Sequence, residues 1–378
     1  QMSDKKIGII TMHRVLNFGS ALQAYALQRK LIDLGYDNEL INYVFPTSTS
    51  HKKTIKSKLL DFLIGIREIM WGFPTKTKKR RFYQFYQKHF ILSPKEYSHE
   101  AINETPPVYN IYMTGSDQVW SPKHVKDNTD FMCTFAPDNS KLVSYGASFA
   151  VESIPSCLKE IYSKALSRYS AITVREDFGC NIVKELTDKQ ASVVCDPTLL
   201  LEKEHWNILA DYSQQNESVP YILVYILSYM YNPYPEVEHI VKHVQKELGY
   251  RVIYLNGGKN EMYKPNSKII SDAGPCEFLD LIRNAKFVIT TSFHGVALAC
   301  VLGIPFYGII KNEQQKGDRI QSLLRILNCK DSIIAYNAKP TLRKNELTRY
   351  TCRKEELTNF KQYSIKKLVS IINDSNNN

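Results

Sequence analysis

The stretch ITTSFHGVALACVLGIPFYG, residues 289–308, carries one imidazole and no formally charged side chain. The run before His294 reads as a buried strand, and the run after it reads as a buried helix. In an open parallel sheet, ligands bind beyond the carboxyl ends of the strands, where a starting helix presents N–H groups that lack intrahelical acceptors. Ser292, Phe293 and His294 fall at such a junction. Gly295 lets a ligand approach the backbone closely, and Gly303 is placed to end the helix. A helix start favours an anion, and a histidine held beside an anion is biased toward the imidazolium, which supplies both charge and a transferable proton. The competing reading is a histidine that only caps the helix or bonds a neighbouring carbonyl.

Three further loops hold candidate groups. In HRVLNFGSALQ (13–23), Asn17, Gly19 and Ser20 suit a tight loop and an N-cap that expose backbone donors. The GxGxxG spacing of a dinucleotide site is absent, and a purely structural turn fits equally well. TGSDQVWSP (114–122) places Ser116 and Asp117 after a strand, where Asp117 either takes a proton from a sugar hydroxyl or caps the next turn. TVREDFG (173–179) puts Arg175 directly after another strand, to clamp a phosphate or carboxylate or to pair with Glu176 or Asp177. CDPTLLL (195–201) reads as a proline-fixed turn with packing leucines, and Asp196 ranks low.

The elements that must position these groups alternate. KIGIITM (6–12) precedes an amphipathic helix over 20–35 and a strand over 37–44, a βαβ unit. Strands are expected at 108–114, 141–147, 170–174 and 191–195. After the polar linker DYSQQNESVP (211–220) a second series begins: strands at 221–227, 251–256, 287–291 and 305–310, with helices near 234–248, 276–284 and from 294. The expected class is therefore α/β, with two Rossmann-like lobes over 1–210 and 220–330. Residues 331–378 form a terminal segment whose helix, near 353–373, is placed to pack back on the first lobe.

The net charge of +11 is local. Residues 51–95 hold 12 Lys and Arg against only Asp61 and Glu68, interleaved with aromatics such as Trp71, Phe82, Phe85 and Phe90. That pattern predicts a basic helical insertion in the first lobe, either solvated or in peripheral contact with an anionic membrane surface or a lipid-linked substrate. No nucleic-acid-binding fold accompanies the charge. The 8 cysteines show no CxxC pair or metal-ligand spacing, which fits reduced thiols and no metal site. No h-region precedes the first strand, so the expected location is cytoplasmic. Residues 287–310 lack formal charge, but their glycines, Pro305 and His294 divide them into strand, helix and strand rather than a membrane span.

The motifs NFGSALQAYAL, TGSDQVW, SYGASFA, TVREDFG, VVCDPTLLL and GPCEFLDLIRNAKFVITTSFHGVALACVLGIPF occur in an order that resembles the polysaccharide pyruvyl transferase family, over roughly residues 5–328. The resemblance implies a fold similar to the GT-B glycosyltransferases. It also implies transfer of a pyruvyl group from phosphoenolpyruvate to a sugar of a polysaccharide or lipid-linked glycan, forming a ketal, with no cofactor. His294 matches the family's histidine before glycine and Arg175 its first-lobe arginine, both implicated in donor binding; Asp117 is the acceptor-side base by chemistry. Many members carry an arginine two positions before the histidine, where this sequence has Ser292. Lys311, Arg319, Arg14 and His13 are the groups that could replace that cation. A GT-B-like glycosyltransferase using a nucleotide sugar and a noncatalytic anion-binding assembly protein are the alternatives.

Overall fold

The β-branched runs and the amphipathic segments between them build two parallel sheets with Rossmann strand order. The computed structural model describes residues 3–45, 75–126, 128–228, 230–256, 264–312 and 318–374. The first sheet comprises β1 (Ser3–Ile10), β2 (Tyr36–Tyr43), β3 (Leu92–Tyr97), β4 (Ile111–Thr114), β5 (Lys141–Ala147), β6 (Tyr169–Val174) and β7 (Ala191–Val193). Their spatial order is β3-β2-β1-β4-β5-β6-β7, and every pair is parallel. The second sheet comprises β8 (Tyr221–Tyr225), β9 (Arg251–Leu255), β10 (Ser267–Ile270), β11 (Phe287–Thr290), β12 (Phe306–Ile310) and β13 (Ile333–Ala335), in the order β10-β9-β8-β11-β12-β13. Each sheet reverses its strand order once, between β1 and β4 in the first lobe and between β8 and β11 in the second. Such switch points are where open α/β sheets bind ligands.

The helices that matter below are α1 (Phe18–Asp33), α2 (Thr75–His89), α3 (Lys203–Ala210), α4 (Pro275–Asn284), α5 (Phe293–Leu302), α6 (Arg319–Ile326) and α7 (Lys354–Asn373). Helix α7 lies on the first lobe. Ser364 Oγ accepts from the Cys195 N–H at 2.8 Å, and Lys141 Nζ donates to the Ile372 carbonyl at 2.9 Å.

Two boundaries differ from the sequence reading. The second lobe continues past residue 330, because Ile333–Ala335 pairs with β12 as an edge strand. The basic insertion is not helical through residue 95: Leu92–Tyr97 is the edge strand β3, and residues 51–74 of the expected insertion lie outside the described residues. No helix among the described residues is long and apolar enough to cross a membrane.

The lobes are joined by an aromatic stack that the sequence distributes over three helices. Phe18, at the start of α1, lies face to face with Phe278 of α4, their centroids 4.5 Å apart and their planes 12° apart. Phe82 of α2 stacks on the other side of Phe18 at 5.5 Å, and Tyr225 at the end of β8 packs against both Phe18 and Phe278. Helix α2 adds a polar clamp. Arg81 Nη1 donates to the Asp272 carbonyl at 2.9 Å, and its Nε lies 3.4 Å from Glu277 Oε1. Gly274 permits this approach, since a Cβ there would lie 2.5 Å from Arg81 Cβ. Lys78 is also turned inward, 5.1 Å from the Phe18 ring centre. Two of the insertion's cations therefore serve the lobe junction.

Truncating the stack removes buried aromatic area at the junction. Phe278→Ala is expected to lower the unfolding free energy by about 3–5 kcal/mol, read as a shift of the urea midpoint. A change below the usual surface-substitution range of about 0.5 kcal/mol would show that the stack does not hold the lobes.

Candidate active site between the lobes

Each lobe contributes a helix start at its switch point. Asn17 N-caps α1, its Oδ1 accepting from Ser20 N at 3.1 Å, and Ser292 N-caps α5, its Oγ accepting from Gly295 N at 3.2 Å. The two first turns meet across the cleft at Gly19 and His294. A Cβ on Gly19 would lie 1.9 Å from His294 Nδ1, so this contact exists because residue 19 has no side chain. Both helix starts carry partial positive charge, and both are aimed at the same space.

Beside them lies a cavity of about 250 Å³, lined by groups that include Asn17, Ser20, Asp117, Ser292, His294 and Arg319. Phe293, Gln118 and His124 complete its polar and aromatic wall. A second compartment of about 200 Å³ shares Phe293 and Arg319 with the first and holds Lys311 and Glu152.

The cavity floor is a buried charge network. Asp196, which follows β7, accepts from Arg175 Nη1 at 2.8 Å and from Ser116 Oγ at 3.1 Å through Oδ2. Its Oδ1 accepts from the Thr198 N–H at 2.9 Å and the Thr198 hydroxyl at 2.7 Å. His294 Nε2 sits 3.3 Å from Asp196 Oδ2, an ion-pair distance without hydrogen-bond alignment. Burial opposes ionisation of Asp196, but the adjacent His294, Arg175 and Thr198 outweigh it and hold the carboxyl well below the usual carboxylate range. Arg175 also donates through Nε to Glu176 at 3.2 Å and lies with its guanidinium 4.3 Å from the Phe293 ring centre. Burial pulls the Arg175 pKa down, and Glu176, Asp196 and Asp117 more than offset it.

Asp117 sits above this floor in the left-handed region, at φ 78°, a conformation that Asp tolerates better than bulkier residues. Ser20 Oγ donates to its Oδ2, and the Gln118 N–H donates to its Oδ1 at 2.9 Å. Burial raises its pKa, but His294, Arg175 and Ser20 prevail and shift it down. With its amide oxygen turned inward, Gln118 accepts from Arg319 Nη1 at 2.9 Å and Nη2 at 3.0 Å, a bidentate link from the first lobe to the second. His124 is pushed below the ordinary histidine value mainly by burial.

Several sequence expectations need correction. Arg175 does not open onto the cavity as an anion clamp: its side chain is 1% exposed and engaged by two carboxylates. Ser116 is fully buried and turned toward Asp196 and the Gly146 carbonyl. Gly295 is buried behind the Ser292 cap. Arg14 points away, pairing with Glu96 at 2.6 Å, and Lys311 faces the neighbouring compartment. His13 is buried, with Nδ1 donating to the Thr11 carbonyl at 3.1 Å. Gln118 and His124 were not among the expected site residues, Glu176 was expected only as an ion-pair partner of Arg175, and Asp196 ranked low. A carboxylate directly after a strand and before proline was the one local signal for Asp196.

Two measurements probe this geometry. Gly19→Ala forces a side chain into the His294 ring and is expected to cost about 1–3 kcal/mol of stability, most of it restored in Gly19→Ala/His294→Ala; no recovery in the double variant would place the strain elsewhere. Burial lowers the His13 pKa to about 4, with Arg14 adding to the shift and the Thr11 carbonyl opposing it. Between pH 6.5 and 4 the unfolded chain then binds a proton that the native protein refuses, so this stability is full above pH 6.5 and is lost toward pH 4. The loss is about 3 kcal/mol, and His13→Asn, which keeps a donor near the Thr11 carbonyl, should flatten urea stability across that window; an unchanged slope refutes the assignment.

Residues 17–311 match the polysaccharide pyruvyl transferase family. Among curated proteins none matches the chain. Similar solved structures include the UDP-N-acetylglucosamine 2-epimerase of Rickettsia bellii, at TM-score 0.53 and 10% identity over 97% of this chain and 95% of that one. Another is the UDP-GlcNAc 2-epimerase of Methanocaldococcus jannaschii in complex with UDP-GlcNAc and UDP, at TM-score 0.51 and 13% identity over 98% of this chain and 94% of that one. At such identities the likeness is one of fold. With that match spanning both lobes and the cleft between them, the chain belongs to the polysaccharide pyruvyl transferase family, as a transferase on a GT-B-like fold.

Proposed function

We propose that the protein transfers the pyruvyl group of phosphoenolpyruvate to two hydroxyls of a sugar in a polysaccharide or lipid-linked glycan, forming a cyclic ketal. The observation that carries this reading is the meeting of His294, the N-terminus of α5 and Arg319 around a cavity of about 250 Å³. Phosphoenolpyruvate brings a phosphate and a carboxylate, and this wall offers a helix start and a guanidinium to receive them. Among the residues lining that cavity Arg319 is the one Lys or Arg, so it takes the place of the family's arginine at the position of Ser292.

In the reaction, His294 as imidazolium gives a proton to the methylene carbon of the donor, and the first sugar hydroxyl attacks the neighbouring carbon. That carbon then loses phosphate as the second hydroxyl adds; one hydroxyl proton returns to the His294 imidazole and the other leaves on the phosphate. One methyl group, two C–O bonds and one inorganic phosphate result. Asp117, held ionised by its surroundings, orients a hydroxyl as a hydrogen-bond acceptor; its depressed pKa makes it a weak base. Arg175 and Asp196 act from beneath, by fixing the Phe293 and His294 rings.

Donor binding tests this without knowledge of the acceptor. Phosphoenolpyruvate is expected to raise the melting temperature, whereas UDP- and GDP-sugars leave it unchanged. Arg319→Gln should weaken phosphoenolpyruvate binding roughly 10- to 100-fold, as for loss of a charge-assisted contact. Stabilisation by a nucleotide sugar and not by phosphoenolpyruvate would turn the assignment to glycosyl transfer.

A further inference from the structure

Helix α2 divides its cations between two faces, and the fold uses one of them. Lys78, Arg81, Phe82, Phe85, Tyr86 and His89 form the inward stripe, at the spacing of neighbouring helical turns. Lys76, Lys79, Arg80 and Tyr83 form the opposite stripe and are exposed. Thr75–His89 contains no Asp or Glu, and Lys76, Lys79 and Arg80 enter no ion pair among the described residues. Lys88, also exposed, is held by the interlobe linker, its Nζ lying 3.6 Å from the Tyr212 ring centre.

We propose that this outward stripe docks the protein on a membrane surface rich in anionic lipid headgroups. Three unpaired cations without an intervening acid suit a diffuse negative surface. Tyr83, 60% exposed at the C-terminal end of the stripe, has the apolar body and polar tip that favour a headgroup layer. The sequence leading into the helix, LLDFLIGIREIMWGF at residues 59–73, is rich in large apolar side chains, a composition that favours lipid over nucleic acid. Because the inward stripe is anchored to both lobes through Phe82 and Arg81, the docking face is rigidly connected to the cleft. A glycan carried on a lipid would then be met by an enzyme already oriented on its membrane.

Sedimentation of the full chain with phosphatidylcholine vesicles, with and without phosphatidylglycerol, tests this independently of the donor. Binding is expected only with phosphatidylglycerol and is expected to weaken as salt rises. Lys76→Glu/Lys79→Glu/Arg80→Glu should weaken it on the order of 100-fold, with an unchanged melting temperature confirming the fold. Tyr83→Ser should weaken it less. Lys78→Gln, facing inward, should leave vesicle affinity unchanged. Failure of the wild type to bind anionic vesicles at low salt overturns the proposal, as does a triple variant that binds like wild type. Tighter binding to a DNA duplex than to the vesicles would equally assign the stripe to another polyanion.

Discussion

One carboxylate, that of Asp196, ties the fold to the chemistry. It is fully buried, and an ion in that environment persists only if its oxygens are occupied by well-placed partners. Here Arg175, Ser116 and Thr198 supply hydrogen bonds from the first lobe, and His294 arrives from the second. The position of the histidine relative to the first sheet is therefore set by charge as well as by shape. Removing the carboxylate would leave Arg175 buried with Glu176 as its remaining close acceptor and His294 without the carboxylate that faces it. Both rings of the α5 start depend on this arrangement, because Arg175 supports Phe293 from behind while Asp196 faces His294.

The same junction brings together two helix N-termini, a costly placement unless something negative lies between them. Asp117 and Asp196 answer that cost from the protein itself. Gly19 makes the approach sterically possible, and the Phe18–Phe278 stack, one residue away, holds the helices that carry it. Packing and electrostatics thus act on adjacent residues of one helix start. Arg81 and Lys78 show the same economy in α2, a helix whose basic composition suggested a solvated or lipid-facing insertion but whose inner stripe joins the lobes.

Much of this architecture was legible because its signals are local. Strand runs such as YILVY and FVIT and the helix after SFHG announce themselves by hydrophobic period, and the two βα series give the two lobes. The edge strands β3, β10 and β13 were not legible. LSPKEY contains proline and two charges, SKII is four residues long, and IIA is three. Such segments become strands because a neighbouring strand offers them partners, which no window of sequence contains. The site divides in the same way. Asn17 and Gly303 act within their own turns and were readable there, whereas Ser292 was read as a junction residue and not as the cap. Asp196, 98 residues before His294 in the chain, looked like a turn because its partners are remote. Arg175 was identified as a strand-end cation, but whether it faces a ligand or two carboxylates depends on β7 and α5 together.

The charge count of the cleft explains why a single half-buried guanidinium carries so much of the proposed donor binding. Beneath the cavity Arg175 faces Asp196, Glu176 and, at longer range, Asp117, so its positive charge is already spent within the protein. An arriving anion meets the fixed field of two helix starts, but it also meets the carboxylate of Asp117 at the cavity wall. Net attraction then requires further positive charge at the cavity, and Arg319 offers it from the second lobe while bonded to Gln118 of the first. A ligand phosphate or carboxylate competes with a neutral amide for that guanidinium, and a charged acceptor is the stronger partner. On the proposed function, exchange of Gln118 for the ligand would break one interlobe link and replace it with another through the substrate, which would couple donor binding to the spacing of the lobes through Arg319.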